Sequence, residues 1–492
     1  MIYALFDYFQ NLPLSRLVHY VTFRAIFSFI ISLLFVTMVG GKIIALLRRK
    51  QIGETVRDLG LAGEKSKKNT PTMGGLIIIA GLLLPILLFS DLSNIYVLMM
   101  LITTLAMGTL GFVDDYIKVI RRKKDGLRPR SKIVTQVGLG VMVCAVLYLS
   151  PKIVIRENIL TPAQVQSGPI VNNSGAQDTA ARAAQDRALS LSTDAQPQES
   201  EDQALANNII PSQQENGAHE VVQFQEKEVK SNKTTIPFVK SHNFSFADWF
   251  PKDSPSREMW GWFLYFLFTV IIITFISNCT NLTDGLDGLT VGVAAPAGVI
   301  LGIFAYVSSH REMAAYLNTM LVPGTEELVI FAAAFVGALL GFLWHNGYPA
   351  TVFMGDTGSL TIGGIIAVFA ILIRKEALLP ILCGVFVMEG LSVFFQSLYF
   401  KIIKVINRRR PEEKKIVRAR IWRIAPLHHH YQRHEKKDGS GEQDLQTEQA
   451  LNDRALINIP PGKLLHESKI TVRFWLISII LAAITLISLK IR

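Results

Sequence analysis

The chain has 492 residues, of which half are hydrophobic and only 18% are charged. A soluble domain carries about a quarter charged residues, so this composition excludes most soluble folds and favours an integral membrane protein. The net charge of +11 does not indicate nucleic acid, because the basic residues cluster beside apolar runs. Such clusters are typical of cytoplasmic loops and of anionic lipid or phosphate partners. The 3 cysteines fall within or beside apolar runs without metal spacing, which predicts reduced thiols and no disulfide framework.

About ten apolar segments are long enough to cross a bilayer, for which a helix needs roughly 20 mostly apolar residues. They lie at approximately 23–46, 74–90, 94–113, 132–150, 259–278, 288–307, 327–345, 358–374, 377–402 and 472–490. The first is too long for a signal peptide and no small-residue cleavage site follows it, so we expect an uncleaved helix. The predicted fold class is an all-α integral membrane protein with about ten transmembrane helices.

Short loops rich in lysine and arginine predict the orientation of these helices. Basic residues are dense at 42–68, 118–132 and 401–433, and they are scarce in the turns near Asp91 and Lys375. Because basic loops stay in the cytoplasm, the three dense stretches are predicted to be cytoplasmic. With ten spans, both termini are then predicted to be extracytoplasmic.

Two polar stretches interrupt the apolar pattern. Residues 152–257 are rich in Gln, Ala, Ser, Asn and Asp, and 160–235 in particular cannot bury enough apolar surface to offset the entropy of ordering. We expect 152–257 to be a largely disordered extracytoplasmic insertion and 435–466 to be a cytoplasmic insertion. The predicted division is 1–151 with four spans, 152–257 as an insertion, 258–434 with five spans and the catalytic loops, 435–466 as an insertion, and 467–492 with the last span.

Short polar strings at the ends of apolar runs contain most of the acidic residues that a place in a polar loop does not account for. They are F-V-D-D-Y-I-K at 112–118, N-L-T-D-G-L-D-G at 281–288, F-M-G-D-T-G-S at 353–359 and L-H-H-H-Y at 427–431. A carboxylate at a membrane boundary is costly unless it binds a cation or takes part in chemistry. The predicted orientation places all of these strings on the cytoplasmic side, which indicates a single active site at the cytoplasmic face.

Asp114 and Asp115 end an apolar run just ahead of Lys118 and a basic loop. Neighbouring residues on a helix point about 100° apart, so we expect both carboxylates to face one point only if the helix end unwinds. Acids at a helix C-terminus also oppose the helix dipole and need a compensating partner. Mg²⁺ and Lys118 are the candidates, and a solvated helix end is the alternative.

Asp284 and Asp287 lie three residues apart, a spacing that predicts a shared helical face. Gly285 and Gly288 would let a ligand approach the backbone, and Asn281 adds a neutral donor and acceptor. The alternative is an Asx-type cap ahead of the apolar run that follows.

Asp356 lies between two glycines just ahead of a predicted span. This position suits phosphate binding by exposed helix amides and Mg²⁺ binding by a hard carboxylate oxygen. An Asp in a Gly-rich turn is, however, commonly only a turn former. Phe353 would either stack on a base or anchor the helix at the interface.

His428–His430 are consecutive, which is poor geometry for one metal ion. In a basic loop these side chains could donate to phosphate, act as acid or base near neutral pH, or hold the loop in place.

P-T-M-G-G at 71–75 follows Lys67 and Lys68 and opens the second predicted span. Its proline and glycines fit a closely packed helix start, while the lysines fit an anionic ligand equally well.

Acids, bases and a membrane boundary together indicate a transfer between two anionic substrates. Joining a nucleotide-activated sugar to a phosphate-ended lipid brings two negative groups together, so catalysis depends on Mg²⁺ and cationic side chains. A cytoplasmic cleft between spans would admit the lipid from the bilayer and the nucleotide from the cytosol.

These motifs, in this order, resemble those of the bacterial phospho-N-acetylmuramoyl-pentapeptide transferase family, within the polyprenyl-phosphate N-acetylhexosamine-1-phosphate transferase superfamily. The resemblance covers nearly all of the membrane portion, including H-N-x-x-P-A-x-V-F-M-G-D-T-G-S-L at 345–360 and R-F-W-L-I-S-I-I at 473–480. It implies ten transmembrane helices, Mg²⁺ dependence and a homodimer in the bacterial cytoplasmic (inner) membrane. The implied reaction converts UDP-N-acetylmuramoyl-pentapeptide and undecaprenyl phosphate to lipid I and UMP, the first membrane step of peptidoglycan synthesis.

The resemblance also implies a role for each polar side chain at a matching position. Asp356 would be the main Mg²⁺ ligand, and Asp114 would deprotonate or orient the lipid phosphate, with Asp115 beside it. The nucleotide pocket would draw on Asn281, Asp284, Asp287, Asn346 and Phe353, the last stacking on uracil. The phosphates would be met by Lys67, Lys118, Lys132, His428, His429 and His430.

Two other functions stay open from the sequence. A sister enzyme moves N-acetylglucosamine-1-phosphate from UDP-N-acetylglucosamine to the same lipid, although P-T-M-G-G with the triple His favours the muramoyl family. An ion-coupled transporter would need acids near mid-bilayer in broken helices, and Glu389 is the best candidate and stands alone. The two polar insertions depart from the family pattern, and we expect them to be loops tolerated outside the core. No nucleic-acid partner is expected.

Overall fold

The computed structural model describes residues 17, 19–50, 70–121, 126–161, 223–238, 243–411, 416, 418–432, 452–460 and 463–490. Most of these residues are helical. The helices are α1 Val21–Arg49, α2 Gly75–Phe89, α3 Ile95–Val119, α4 Pro129–Leu149, α5 Arg257–Thr283, α6 Leu289–Ser309, α7 Arg311–Tyr316, α8 Glu327–Asn346, α9 Gly355–Leu372, α10 Leu379–Leu382, α11 Gly384–Arg408, α12 Leu427–Tyr431 and α13 Glu467–Ser488. The strands are β1 Ile155–Thr161, β2 Gln223–Val229, β3 Lys233–Thr235 and β4 Asn243–Ser245, and short 3₁₀ helices lie at Phe246–Trp249 and Glu376–Leu378.

In the described ranges, 9 helices have the length and apolar character needed to cross a membrane. They are α1, α3, α4, α5, α6, α8, α9, α11 and α13. This confirms the expected helical integral membrane architecture. The second predicted span is the apolar helix α2, which has 15 residues and is shorter than predicted.

The predicted span at 377–402 is broken in the structure. A 3₁₀ turn at Glu376–Leu378 leads into the short helix α10, and α11 starts only at Gly384. Pro380, which has no amide hydrogen, lies in the first turn of α10, where that hydrogen would have no helical partner. α11 then continues beyond the predicted end into basic residues and finishes at Arg408.

α9 lies at the centre of the bundle, and nearly all of its residues are buried. It packs most extensively against α3 and α5, and also against α2. A helix that is apolar all round is suited to complete enclosure, and small residues let neighbouring backbones approach closely. The first turn of α9, which contains Asp356, is therefore held by several neighbouring helices.

The polar stretch 160–235 is ordered at its two ends, in the part that the structure describes, and the expectation that much of it is disordered stays a prediction for the rest. β2 and β3 lie within it, whereas 162–222 lies outside the described residues. β1 pairs with β2, and β3 pairs antiparallel with β4, with Thr234 opposite Phe244. The described residues 156–161 and 223–228 belong to a unit separate from the rest of the described chain.

The predicted cytoplasmic insertion at 435–466 is described only over its last part, 452–460 and 463–466. Ala455 forms a backbone bridge with Arg420, and Leu465 forms one with Gln432. The end of this insertion therefore pairs with the chain on both sides of the histidine run.

A buried ion pair connects α1 to α8. The two guanidinium nitrogens of Arg24 lie 2.9 and 2.6 Å from the two carboxylate oxygens of Glu327. Arg24 also donates to the carbonyl of Phe89 at 3.1 Å, and Glu327 accepts from the amide of Asp91 at 2.9 Å. The pair thus joins α1 and α8 to the chain at the end of α2.

We predict that Arg24→Leu lowers the free energy of unfolding by about 3–5 kcal/mol, because it leaves the Glu327 carboxylate in the interior without its cation. The double variant Arg24→Leu/Glu327→Leu should recover much of this loss, since it removes both charges. Thermal unfolding in detergent measures the effect, with Arg49→Leu, at an exposed position of the same helix, as the control. Equal stability of Arg24→Leu and Arg49→Leu would contradict the role of the pair.

Candidate active site

Asp114 and Asp115 lie near the end of α3, which continues as a regular helix to Val119. The expectation that the helix end must unwind is therefore wrong. Asp356, at the start of α9, approaches the two acids so that one carboxylate oxygen from each of the three lies within 4.8 Å of the others. Two neighbouring acids of a regular helix thus converge with an acid from a second helix.

The Asp115 carboxylate is bound to the N-terminus of α9. Its Oδ1 accepts from the amide of Asp356 at 3.1 Å, and its Oδ2 accepts from the amide and hydroxyl of Thr357 at 2.8 and 2.6 Å. These bonds satisfy amides that have no helical partner and complement the helix dipole. Gly355 has φ of 73°, and a Cβ there would lie 2.5 Å from Asp115 Oδ2, so glycine is required. The amides expected to bind phosphate are thus occupied by the chain's own acid.

Two lysines bridge Asp114 and Asp356. Lys132 Nζ lies 2.9 Å from Asp114 Oδ2 and 2.5 Å from Asp356 Oδ2. Lys118 Nζ lies 2.7 and 3.1 Å from the same two oxygens. The Leu127 amide donates to Asp114 Oδ1 at 2.6 Å. The Asp114 side chain is fully buried, whereas those of Asp356 and Lys118 are 13% and 32% exposed, so the cluster is open to solvent on the side of Asp356 and Lys118.

The cluster has the donor chemistry for a hard divalent cation. Carboxylate oxygens are the ligands that Mg²⁺ prefers. Because both oxygens of Asp115 are hydrogen-bonded to α9, Asp356 and Asp114 are the acids best able to hold a metal. The neighbouring lysines can donate to phosphate oxygens.

Asn281 and the acids that follow it occupy the end of α5 and the turn after it. Asn281 Oδ1 accepts from the hydroxyl of Ser359, one turn beyond Asp356 on α9, at 2.9 Å. α5 ends at Thr283, so the expectation that Asp284 and Asp287 share a helical face is wrong. Gly288, the residue just before α6, has a left-handed backbone conformation with a φ of 70°, and the turn depends on it.

Asp287 and Asn346 connect this turn to the loop that precedes α9. Asp287 Oδ2 accepts from the Ala350 amide at 3.0 Å. Asn346 Oδ1 accepts from the Gly288 amide at 3.1 Å, and its Nδ2 donates to the Val352 carbonyl at 2.9 Å. Both side chains are buried. They fix the relative position of two loops, and their predicted contacts with the nucleotide stay a prediction.

The P-T-M-G-G motif docks on the turn ahead of α9. The Phe353 amide donates to the Pro71 carbonyl at 2.8 Å, and the carbonyls of Phe353 and Met354 accept from the two glycine amides, each at 2.9 Å. A Cβ on Gly75 would lie 2.1 Å from the Gly358 nitrogen. Close packing therefore accounts for these glycines. The Phe353 ring is half-buried, and its stacking on uracil stays a prediction.

His429 and His430 have separate local partners. His430 Nδ1 accepts from the Arg423 amide at 3.2 Å. Burial, together with the Arg423 charge, lowers the pKa of His430 to about 4, so this buried imidazole is neutral near pH 7 and holds the turn. His429 is partly exposed, and its Nδ1 lies 2.8 Å from Gln432 Oε1.

His428 is fully buried against Glu389. Its amide donates to Glu389 Oε1 at 3.0 Å, and its Nδ1 lies 3.2 Å from Glu389 Oε2. Glu389 is thus paired with an imidazole, which the sequence did not indicate. Its partner was missed because 38 intervening residues and a loop separate the two positions in the sequence.

The predicted site residues that meet around the first turns of α9 are Asp114, Asp115, Lys118, Lys132, Asn281 and Asp356, whereas Asp287, Asn346 and the histidine run contact other loops. Lys67 lies outside the described residues. Thr357, whose hydroxyl donates to Asp115, was not predicted from the sequence. A hydroxyl directly after the G-D pair at a helix start was the signal that could have indicated it.

Two family models match the chain. Residues 237–374 match the model described as glycosyl transferase family 4. Residues 67–79 match phospho-N-acetylmuramoyl-pentapeptide-transferase signature 1. The second match contains the P-T-M-G-G motif that docks on the turn ahead of α9.

Full-length relatives agree with these matches. The chain is 50% identical to the phospho-N-acetylmuramoyl-pentapeptide-transferase of Porphyromonas gingivalis over 496 residues, covering 100% of both chains. It is 46% identical to the enzyme of the same name from Parabacteroides distasonis and 44% identical to that from Bacteroides fragilis, again covering 100% of both chains. These relatives are as long as this chain, so the two polar insertions do not set it apart from them. The chain belongs to the phospho-N-acetylmuramoyl-pentapeptide-transferase family.

Proposed function

We propose that the chain transfers phospho-N-acetylmuramoyl-pentapeptide from UDP-N-acetylmuramoyl-pentapeptide to undecaprenyl phosphate, giving lipid I and UMP. The observation that carries this proposal is the cluster of Asp114, Asp115 and Asp356 with two bridging lysines. The names of the full-length relatives support the muramoyl substrate over N-acetylglucosamine-1-phosphate. An ion-coupled transporter has less support, because Glu389 is paired with His428.

The chemistry joins an oxygen of the lipid phosphate to the phosphorus that carries the sugar, and it breaks the bond from that phosphorus to UMP. Asp114 is the residue that takes a proton from the lipid phosphate or orients it. Its carboxylate is buried and held by the Leu127 amide and by Lys118 and Lys132. These contacts favour direct attack by the lipid phosphate over a covalent intermediate on Asp114, because such an intermediate would have to displace them.

Mg²⁺ is the proposed cofactor, with Asp356 as its main ligand and Asp114 beside it. A bound Mg²⁺ supplies positive charge that offsets the repulsion between the two anionic reactants. Asp356 is more open than Asp114, so its carboxylate lies on the side from which substrate arrives. Lys118 and Lys132 contact the same acids and can donate to substrate phosphates.

The proposed location is a bacterial inner membrane, with the site facing the cytoplasm and a homodimer as the assembly. α1 and α11 both end in arginines. Arg48, in the last turn of α1, donates to the carbonyl of Thr351 at 3.3 Å, two residues before Phe353. The basic end of α1 therefore lies beside the loop ahead of α9, and the positive-inside rule favours the cytoplasm for that end.

We predict that Asp356→Asn lowers UMP release from UDP-N-acetylmuramoyl-pentapeptide by roughly 100-fold or more, the scale expected for an electrostatic group at the reacting centre. Purified protein in detergent with undecaprenyl phosphate provides the assay, and EDTA should abolish wild-type activity until Mg²⁺ is restored. Asp253→Asn, at an exposed acid ahead of α5, is the control. Full activity of folded Asp356→Asn would refute its role as the metal ligand, and release only from UDP-N-acetylglucosamine would refute the proposed donor.

We predict that Asp115→Asn destabilises the fold, because its amide group would point hydrogens at the N–H groups of Asp356 and Thr357. The expected loss in free energy of unfolding is about 1.5–3 kcal/mol, the value of hydrogen bonds to a charged group. Thr357→Val, which removes only the hydroxyl, should cost about 1 kcal/mol. Denaturant or thermal unfolding measures both, and wild-type stability of Asp115→Asn would show that the carboxylate does not hold α9.

We predict that a membrane-impermeant maleimide labels Trp249→Cys, but not Arg409→Cys, when spheroplasts of an expressing bacterium are treated from outside. Both positions are exposed, at opposite ends of the bundle in the proposed orientation. The native thiols Cys144, Cys279 and Cys383 are free and buried, so the unsubstituted chain should give little background. Labelling of Arg409→Cys in intact spheroplasts, and of Trp249→Cys only after lysis, would reverse the proposed orientation.

A further inference from the structure

One face of α11 binds the chain segment that leads to the histidine run. Asn407 Nδ2 donates to the Ile416 carbonyl at 2.9 Å, and Asn407 Oδ1 accepts from the Ile416 amide at 2.8 Å. Gln396 Oε1 accepts from the amides of Ile421 and Trp422 at 2.9 and 3.1 Å. Glu389 lies about two helical turns before Gln396, and so occupies the same face.

Glu389 differs from Gln396 and Asn407 because it is a carboxylate and contacts a side chain. Its Oε1 accepts from the His428 amide, as a neutral amide oxygen could also do. Its Oε2 lies 3.2 Å from His428 Nδ1, and both side chains are fully buried. Burying a carboxylate is costly unless it is paired. Backbone attachment alone, which Gln396 achieves without a charge, does not explain an acid at this position.

This contact favours one position for the hydrogen of the His428 imidazole. Within the part of the chain that the structure describes, neither His428 Nδ1 nor Glu389 Oε2 forms a hydrogen bond, and their 3.2 Å approach is an electrostatic contact rather than an aligned hydrogen bond. A lone pair on Nδ1 would be repelled by the carboxylate, so we assign the imidazole hydrogen to Nδ1, which faces Glu389.

The other edge of the ring lies against the turn that follows α5. A Cβ on Gly285 would lie 2.2 Å from His428 Nε2 and 2.9 Å from its Cε1. Gly285 lies between Asp284 and Asp287, in the turn that is bonded to the loop ahead of α9 through Asn346. His428 is thus held between a fixed carboxylate and a wall of the proposed nucleotide pocket.

We propose that Glu389 is a positioning residue for the transfer reaction. It orients the His428 imidazole with Nδ1 towards Glu389 and Nε2 towards Gly285, so that His428 supports the turn Asp284–Gly288 in the shape that receives the nucleotide sugar. This proposal rests on the proposed function above. Positioning residues of this kind act through a second side chain and fix both its orientation and the placement of its hydrogen.

The first test is Glu389→Gln. Glutamine can still accept from the His428 amide, but its NH₂ group would face Nδ1 and move the imidazole hydrogen to Nε2. We expect kcat/KM for the nucleotide sugar to fall roughly 10- to 100-fold, with the thermal midpoint within about 2 °C of wild type. Gln396→Ala, which removes three hydrogen bonds to backbone groups on the same helix face, is the control. It should lower the thermal midpoint with a smaller effect on kcat/KM.

The second test asks whether Glu389 acts through His428. In a His428→Ala background, Glu389→Gln should cause no further loss of kcat/KM, whereas independent residues would give additive losses. Gly285→Ala should also lower kcat/KM, because its Cβ would push the imidazole aside, and this loss too should vanish in the His428→Ala background. Gly41→Ala, whose Cβ would meet no atom within 4 Å, is the matched glycine control.

The outcomes separate this proposal from the proposed function. Wild-type kcat/KM in Glu389→Gln, or losses that add to those of His428→Ala, would overturn the positioning role. If Glu389→Gln does not fold, the pair Gly285→Ala and His428→Ala decides the question, because additive losses there would show that the position of the ring does not matter. Absence of UMP release by the wild-type protein would instead overturn the proposed function.

Discussion

The Asp115 carboxylate on the first amides of α9 is the interaction on which the site depends. It joins the end of α3 to the start of α9, and this junction brings Asp356 to Asp114. Two acids held so close would repel, and the lysines between them offset that repulsion. Each group is therefore held in place by another. Asp115 holds the two helix ends together, and the lysines hold Asp114 and Asp356 together. Lys118 is positioned by α3, the helix that also contains Asp114.

The membrane architecture could be predicted from the sequence because hydropathy acts over whole helices, whereas the arrangement of the site depends on contacts between distant segments. Local pattern indicated Asp356 at a helix start, and the structure agrees. It did not indicate that Asp115 occupies the amides beside Asp356, since 240 intervening residues separate the two acids. The local pattern also predicted a continuous helix from Asp284 to Asp287. This is wrong because the glycines that would admit a ligand also allow a turn.

The remaining site residues mainly form hydrogen bonds that hold loops in place. Asp287 and Asn346 bond one loop to the next, and the P-T-M-G-G motif is bonded to the backbone around Phe353. The histidine run is attached to α11 by side chains at roughly helical spacing. Polar residues that look like free ligands in the sequence are here largely hydrogen-bonded to backbone groups, and these bonds fix the positions of the loops.

The enclosure of α9 has a consequence for the residues that this helix can contain. Its first turns include Thr357, Ser359 and Thr361, each buried, and a hydroxyl facing hydrocarbon is costly unless it finds a partner. Thr357 bonds to Asp115, Ser359 to Asn281, and Thr361 to the helix backbone. α9 is thus surrounded by neighbouring helices rather than by lipid. The helix that contains Asp356 can therefore be as polar as its chemistry requires while the outer surface of the bundle stays matched to the bilayer.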